Sequence, residues 1–385
     1  MKLLGLYLGI VQFFFATTWI VYVIYLPQLA QQAGIGREWV PWILVADQVV
    51  FAISDVVTGF WIDRLRAGLA RFGSWILGLT VVSAAAFLAL PFLNLDPRFL
   101  LAAVFVWAIT SAALRSPPWA LLARYAATPS VPWLATLVLT GSALAAALAP
   151  YLGIALRGID PKLPFVISTL TLLAAVGGLV YAERRVAVSS SEESRTEEKS
   201  REPAKSIVLF FIALLVMAVG FQVHFSLNSA PQYLRFAPAG ELAYLMPLFW
   251  IGFNLMMFPA APAVKRWGAL QTLAVSGAAG ALATLVAVLA SNLQVLIAAQ
   301  FVAGGCWGAA SVAAYSAVIA FGRTGREGRM LGTLFAVLAI AAFARIAAYA
   351  SDVLIEPQIK AALPWVPEIA WLLSAALLLL AARRR

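Results

Sequence analysis

The chain is 385 residues long, 63% hydrophobic and 11% charged, with a formal net charge of +10 and a mean hydropathy of +0.91. Soluble domains run near 45–50% apolar and about 25% charged, so lipid is the solvent for most of this chain. One cysteine, Cys306, excludes an internal disulfide, and with one histidine, His224, it excludes zinc centres of several Cys or His ligands. The positive charge reports membrane topology rather than nucleic-acid binding.

From the N-terminus, Lys2 is followed by an apolar run of about 25 residues, too long for the core of a signal peptide and long enough to cross a bilayer. Cutting the rest at charged and Pro/Gly-rich breaks predicts twelve spans. They lie at 3–29, 39–62, 72–92, 98–124, 132–156 and 164–182, then 206–230, 240–263, 269–290, 292–320, 329–350 and 365–382. Between the sixth and seventh, the Ser/Glu-rich stretch 183–205 has no hydrophobic periodicity and reads as a linker. The chain thus divides into a six-helix bundle at 1–182 and a second at 206–385.

Loop charges orient the spans. With the N-terminus inside, segments on one side hold nineteen Lys and Arg and those on the other side hold six. The richer side is cytoplasmic, which puts both termini and the linker in the cytoplasm, at the inner membrane of a bacterium. The halves also echo each other. Gly59-Phe60-Trp61-Ile62-Asp63-Arg64 follows the second span and Ala261-Pro262-Ala263-Val264-Lys265-Arg266 follows the eighth. Internal repeats of this kind mark alternating-access transporters.

Twelve spans in two sixes, a central loop and Gly59-x-x-x-Asp63-Arg64 resemble the major facilitator superfamily. The resemblance implies an all-α membrane fold of two pseudo-symmetric six-helix bundles. It also implies a cytoplasmic latch of Gly59, Asp63 and Arg64 against Arg329 at the start of the eleventh span. A carboxylate there gains from free N–H groups and the helix dipole, by about 0.3–1 kcal/mol. The family's next glycine is replaced by Arg66, and Arg66 and Arg71 read as topology charges.

Two narrower likenesses exist. Asp55-x-x-x-Gly59-x-x-x-Asp63-Arg64, Arg71-Phe72-Gly73 and Pro117-Pro118-Trp119-Ala120-Leu121 resemble the glycoside–pentoside–hexuronide cation symporters. That group's second acid and its Arg are Phe51 and Gln48 here, which weakens any carry-over of its sodium or sugar binding. Ala149-Pro150-Tyr151-Leu152-Gly153 resembles the core of the proton-antiporter motif, but Gly141, Ala145, Ala149 and Gly153 also form a small-residue stripe suited to close packing.

Ionisable groups inside spans are costly and are functional candidates. Asp47 lies roughly 12 Å from the outer end of the second helix and Asp55 roughly 10 Å from its inner end. Neither short side chain reaches bulk water, so each must face protein or a wet cavity. A carboxylate held between desolvation and a nearby guanidinium can take and release a proton as a cavity opens and closes. Arg115, in the inner part of the fourth span, is the expected partner of Asp55 or a substrate anchor. Arg345 and Asp352, two turns apart on one face, are a candidate outer gate pair, with a simple snorkelling Arg345 as the alternative. His224 lies beside Gln222 and Asn228 in the seventh span, where its ring can bind substrate or a proton.

Aromatic walls with a few polar anchors make binding cavities. The cavity candidates are Gln12, Trp19 and Tyr22 on the first span, and Gln300, Trp307 and Tyr315 on the tenth, with Tyr25 assigned to the interfacial belt. No Gly-x-x-x-x-Gly-Lys loop occurs, and the few ionisable groups form no catalytic constellation. The reading is a monomeric secondary transporter, not an enzyme and without cofactors. It moves a small organic solute with a proton or sodium ion. Drug or metabolite efflux, or a non-transporting receptor or scaffold on the same fold, are the alternatives.

Overall fold

A computed structural model describes residues 2–64, 69–93, 95–125, 128–189, 203–323 and 325–383. Arg66 and residues 190–202 of the expected linker lie outside the described residues. A chain in lipid must satisfy its backbone polar groups internally, and helices do so within one segment. Every long element is accordingly a helix. The first seven are α1 (Lys2–Gln32), α2 (Val40–Arg64), α3 (Leu69–Ala89), α4 (Pro97–Arg115), α5 (Pro117–Tyr125), α6 (Val131–Ala155) and α7 (Lys162–Ser189). After the linker come α8 (Ala204–Phe221), a π-helical turn (Gln222–Asn228) and α9 (Ser229–Tyr233), which form one continuous span. The remainder are α10 (Leu242–Leu245), α11 (Pro247–Trp267), α12 (Ala269–Leu289), α13 (Leu293–Gly322), α14 (Glu327–Ala350), α15 (Pro357–Ala362) and α16 (Val366–Arg383).

Among the described residues, ten helical stretches are long and apolar enough to cross a bilayer, and two shorter apolar helices lie within α3 and α7. The chain is an integral membrane protein with the two-bundle fold of twelve helices. Large apolar side chains such as Ile53, Val57, Val275 and Leu282 are exposed around the outside. Lipid accepts such surface, so these helices are apolar on all faces rather than amphipathic.

Two expected spans differ. The fourth is broken at Ser116, because Pro117 and Pro118 lack the N–H groups that would bond the carbonyls of Ala113 and Leu114. The seventh contains the π-turn, where the Ser229 hydroxyl donates to the His224 carbonyl at 2.9 Å. Tyr25 is not in an interfacial belt. It is buried, and its hydroxyl donates to the carbonyls of Leu156 and Ile159.

The two bundles meet where α2 packs on α14, α6 on α11 and α13, and α5 on α13 and α14. Within bundles, α1 packs on α6 and α7, α11 on α13, and α12 and α8 on α16. Gly252, Gly304 and Gly308 let α11 and α13 touch backbone to backbone, since a Cβ on each would meet a facing carbonyl. The small-residue stripe of α6 is only partly such a seam. Gly141 abuts Gly9, whereas Gly153 faces open space.

Candidate functional site

Helix α2 organises the site. Phe51, Asp55, Gly59 and Asp63 recur every four residues, fall on one face and are all buried. Asp55 has no solvent exposure, and its Oδ2 lies 3.2 Å from Nη1 of Arg115, whose side chain is 20% exposed. The guanidinium sits between the rings of Phe51 (5.4 Å) and Phe335 (5.0 Å). Two aromatic faces favour a cation and fix its plane. Arg115 is the last residue of α4, so the Pro117-Pro118 break directly follows it and turns α5 across the molecule.

One turn below Asp55 the bundles touch without side chains between them. A Cβ on Gly59 would strike the Gly328 carbonyl, and one on Gly332 would strike the carbonyl of Asp55 itself. One turn further, Asp63 caps α14. The Gly328 amide donates to its Oδ1 at 2.7 Å, and the Arg329 amide and Nε donate to Oδ2 at 3.2 and 2.9 Å. The carboxylate thus satisfies free N–H groups in the first turn of a helix from the other bundle. Arg329 also lies over Phe60, 5.2 Å from the ring centroid. Arg64 is exposed and takes no part in these bonds.

A cavity of about 570 Å³ lies between the bundles. Its walls include Gln12, Phe15 and Trp19 of α1, Ser142 and Pro150 of α6, Phe225 of the π-turn, and Met246 and Trp250. Toward the end that carries Arg64, Lys265 and Arg329 the two bundles are in contact. Trp119 of α5 stacks on Tyr315 of α13 at 4.0 Å, with Arg115 and Phe335 beside them. The Thr136 hydroxyl also donates to the Met257 carbonyl across α6 and α11. At the other end the bundles are joined by an edge contact of Tyr151 with Tyr244. Arg115 is the one charged side chain in the described wall.

The expected residues separate into those at the cavity and those behind it. Gln12, Trp19, Arg115 and Tyr315 line it. Tyr22 does not. It is fully buried, and its hydroxyl donates to Asp47 Oδ2 at 2.8 Å in a packed cluster with Trp19 and Trp107. Asp47 is therefore a hydrogen-bonded carboxylate outside the cavity wall. Trp307 is also behind the wall, stacked on Phe221 at 4.6 Å. Gln300 is buried in a polar knot, accepting from Ser229 at 3.1 Å and donating to Gln232 at 2.9 Å. His224 abuts that knot, fully buried, with both ring nitrogens outside hydrogen-bonding geometry. Asn228 instead donates to the Leu363 carbonyl at 2.9 Å, and Gln222 is half-buried away from the wall.

The outer gate pair does not form. Asp352 follows the C-cap of α14 in the left-handed region (φ 57°), is exposed, and makes no ion pair with Arg345. Asp tolerates this conformation, which lies just beyond the end of the helix. The cavity residues missed in the sequence include Trp119, Trp250, Phe225 and Phe335. Trp119 follows the double proline, a signal for a helix break beside an intramembrane Arg. The others carry no mark in a chain so rich in aromatics.

The sequence profile of the Major Facilitator Superfamily matches residues 8–345. A search of curated proteins finds no match. Among solved structures, the chain is similar to the E. coli fucose:proton symporter FucP, at 15% identity and TM-score 0.69, with 98% of each chain covered. It is also similar to a bacterial homologue of the iron transporter ferroportin in an outward-facing state, at 13% identity and TM-score 0.74, with 99% of each covered. A third is the human organic anion transporter MFSD10, at 15% identity and TM-score 0.73, covering 97% of this chain and 98% of that one. At such identities these structures speak to the fold alone.

Proposed function

Because the chain belongs to the major facilitator superfamily, we propose that it is a secondary active transporter that carries a small organic solute by alternating access, coupled to a proton. The observation that carries this reading is the Asp55–Arg115 pair beneath the inter-bundle cavity, on the same helix face as the Asp63 cap. Protonating Asp55 removes the charge that holds Arg115. The Asp55 carbonyl touches Gly332 directly, so a shift of α2 at Asp55 moves α14 with no compressible side chain between. Asp63 lies two turns along and leaves or keeps the α14 N-terminus accordingly. Hydrogen bonds to a charged group contribute about 1.5–3 kcal/mol each. That range is enough for this latch to bias an equilibrium between states a few kcal/mol apart.

In this reading the basic end is cytoplasmic, in accord with the Lys/Arg asymmetry, and the membrane is a bacterial inner membrane. Residues 1–182 and 206–385 are the two moving bundles of a monomer. One neighbour's name, fucose:proton symporter, is compatible with proton coupling. The test is a thermal-shift screen of the purified protein against metabolite pools at two pH values, with and without sodium, followed by counterflow in proteoliposomes. A transporter yields a solute that stabilises the protein in a pH-dependent, sodium-independent way and is exchanged across the vesicle wall. Stabilisation without counterflow would identify a receptor instead.

A further inference from the structure

The transported solute is constrained further by the cavity's own chemistry. Its walls are almost wholly aromatic and apolar, with Trp19, Trp119, Trp250 and Tyr315 among the lining residues. The polar groups in the described wall are few: Gln12, Ser142, the Tyr315 hydroxyl and one cation, Arg115. Such a lining suits a flat, largely apolar body and gives poor recognition of a polyhydroxylated one, which needs a donor or acceptor for each hydroxyl.

Arg115 is arranged for exchange between two carboxylates. One edge of its guanidinium meets Asp55, while part of the side chain is exposed to the cavity. Among the described residues, Asp55 is the one carboxylate within ion-pair distance. The groups facing Asp55 are few. Arg115 comes from the end of α4, Tyr315 comes from α13, and the face of α14 against it carries Gly332 and Phe335. Neither α13 nor α14 supplies a second cation there. A fully buried carboxylate left without its partner is strongly destabilising. Arg115 can therefore turn to a solute only if Asp55 becomes neutral at the same time.

Resting on the transporter reading above, we propose that the solute is a planar aromatic monocarboxylate, carried with one proton in an electroneutral step. In that step the solute's carboxylate takes the guanidinium from Asp55, and the proton goes to an oxygen of Asp55. The charge of the site is the same before and after. One positive and one negative group become one positive group, one neutral acid and one bound anion.

The probe is 2-naphthoate, with 2-naphthamide and 2-naphthylmethylammonium as the neutral and cationic counterparts, titrated against the detergent-solubilised full chain in weakly buffered solution. The expected result is saturable binding of 2-naphthoate only, with about one proton taken up per ligand bound. Asp55→Asn retains binding of 2-naphthoate and takes up no proton. Arg115→Lys, which keeps the charge but not the planar fork, binds at least about ten-fold more weakly. Thermal unfolding establishes that each variant is folded. Equal binding of the amide or the ammonium, absence of naphthoate binding, or binding by the wild type without proton uptake overturns the assignment. Counterflow of some other solute alongside such a result would leave the transporter reading standing, whereas no counterflow of any solute would remove both.

Discussion

The two bundles bury their polar groups differently. In the first, Asp55 and Arg115 form an ion pair that reaches the cavity wall, and Asp47 is held by one tyrosine hydroxyl. In the second, Gln300, Gln232 and Ser229 are hydrogen-bonded to one another behind the wall with His224 beside them, and the buried carboxylate Glu368 lies in α16, away from the cavity. Ion pairs can exchange partners, because a proton cancels one member. An amide knot offers no such switch, and its groups need each other. Pseudo-symmetry of the fold is therefore not symmetry of chemistry: the proposed coupling pair belongs to the first bundle, and the second supplies wall, π-turn and the α14 terminus that Asp63 caps.

This contrast can be broken at its strongest point first. Arg115→Ala leaves Asp55 buried and unpaired, and should cost about 3–5 kcal/mol of stability and abolish uptake. Thermal unfolding in detergent reads the first effect and proteoliposome flux the second. The double variant Asp55→Asn/Arg115→Met should recover most of the stability and none of the coupled uptake. Asp63→Ala removes the cap and its charge-assisted bonds, each about 1.5–3 kcal/mol. It should widen the spin-label distance between the exposed positions 64 and 265, with little loss of fold.

Gly332→Leu should cost about 1–3 kcal/mol by overpacking against the Asp55 carbonyl. It should also slow exchange, which flux measurements report. Gln300→Leu strands the partners in Gln232 and Ser229 at about 1–2 kcal/mol, yet should leave proton coupling intact, since no charge is lost. Gly153→Ala enters open space and should change the unfolding temperature and uptake by no more than experimental scatter, within about 0.5 kcal/mol.

The twelve helices were legible because each must be about twenty apolar residues long, and polar breaks separate them. What hydropathy does not carry is rotation. A helix with lipid on one side and apolar core on the other shows no moment, so nothing told Tyr22 from Trp19, or Trp307 from Tyr315. Rotation could be read only where a rare residue type repeats at helical spacing. Asp55, Gly59 and Asp63 do so on α2, and the structure brings two of them to Arg115 and Arg329. Arg345 and Asp352 have the same helical spacing and are not paired, because the helix ends between them. The π-turn beside His224 was not read from the sequence, although Pro231, three residues beyond it, lacks the N–H that would bond the Leu227 carbonyl, and the Ser229 hydroxyl donates to the His224 carbonyl instead.

The most direct test uses Asp55→Asn in proteoliposomes, with the solute found by the thermal-shift screen. Counterflow with no gradient and accumulation driven by a pH gradient are measured on the same vesicles. If Asp55 is the coupling group, the variant exchanges solute in counterflow and fails to concentrate it. Accumulation at the wild-type level under the same gradient would contradict the coupling role of the Asp55–Arg115 pair.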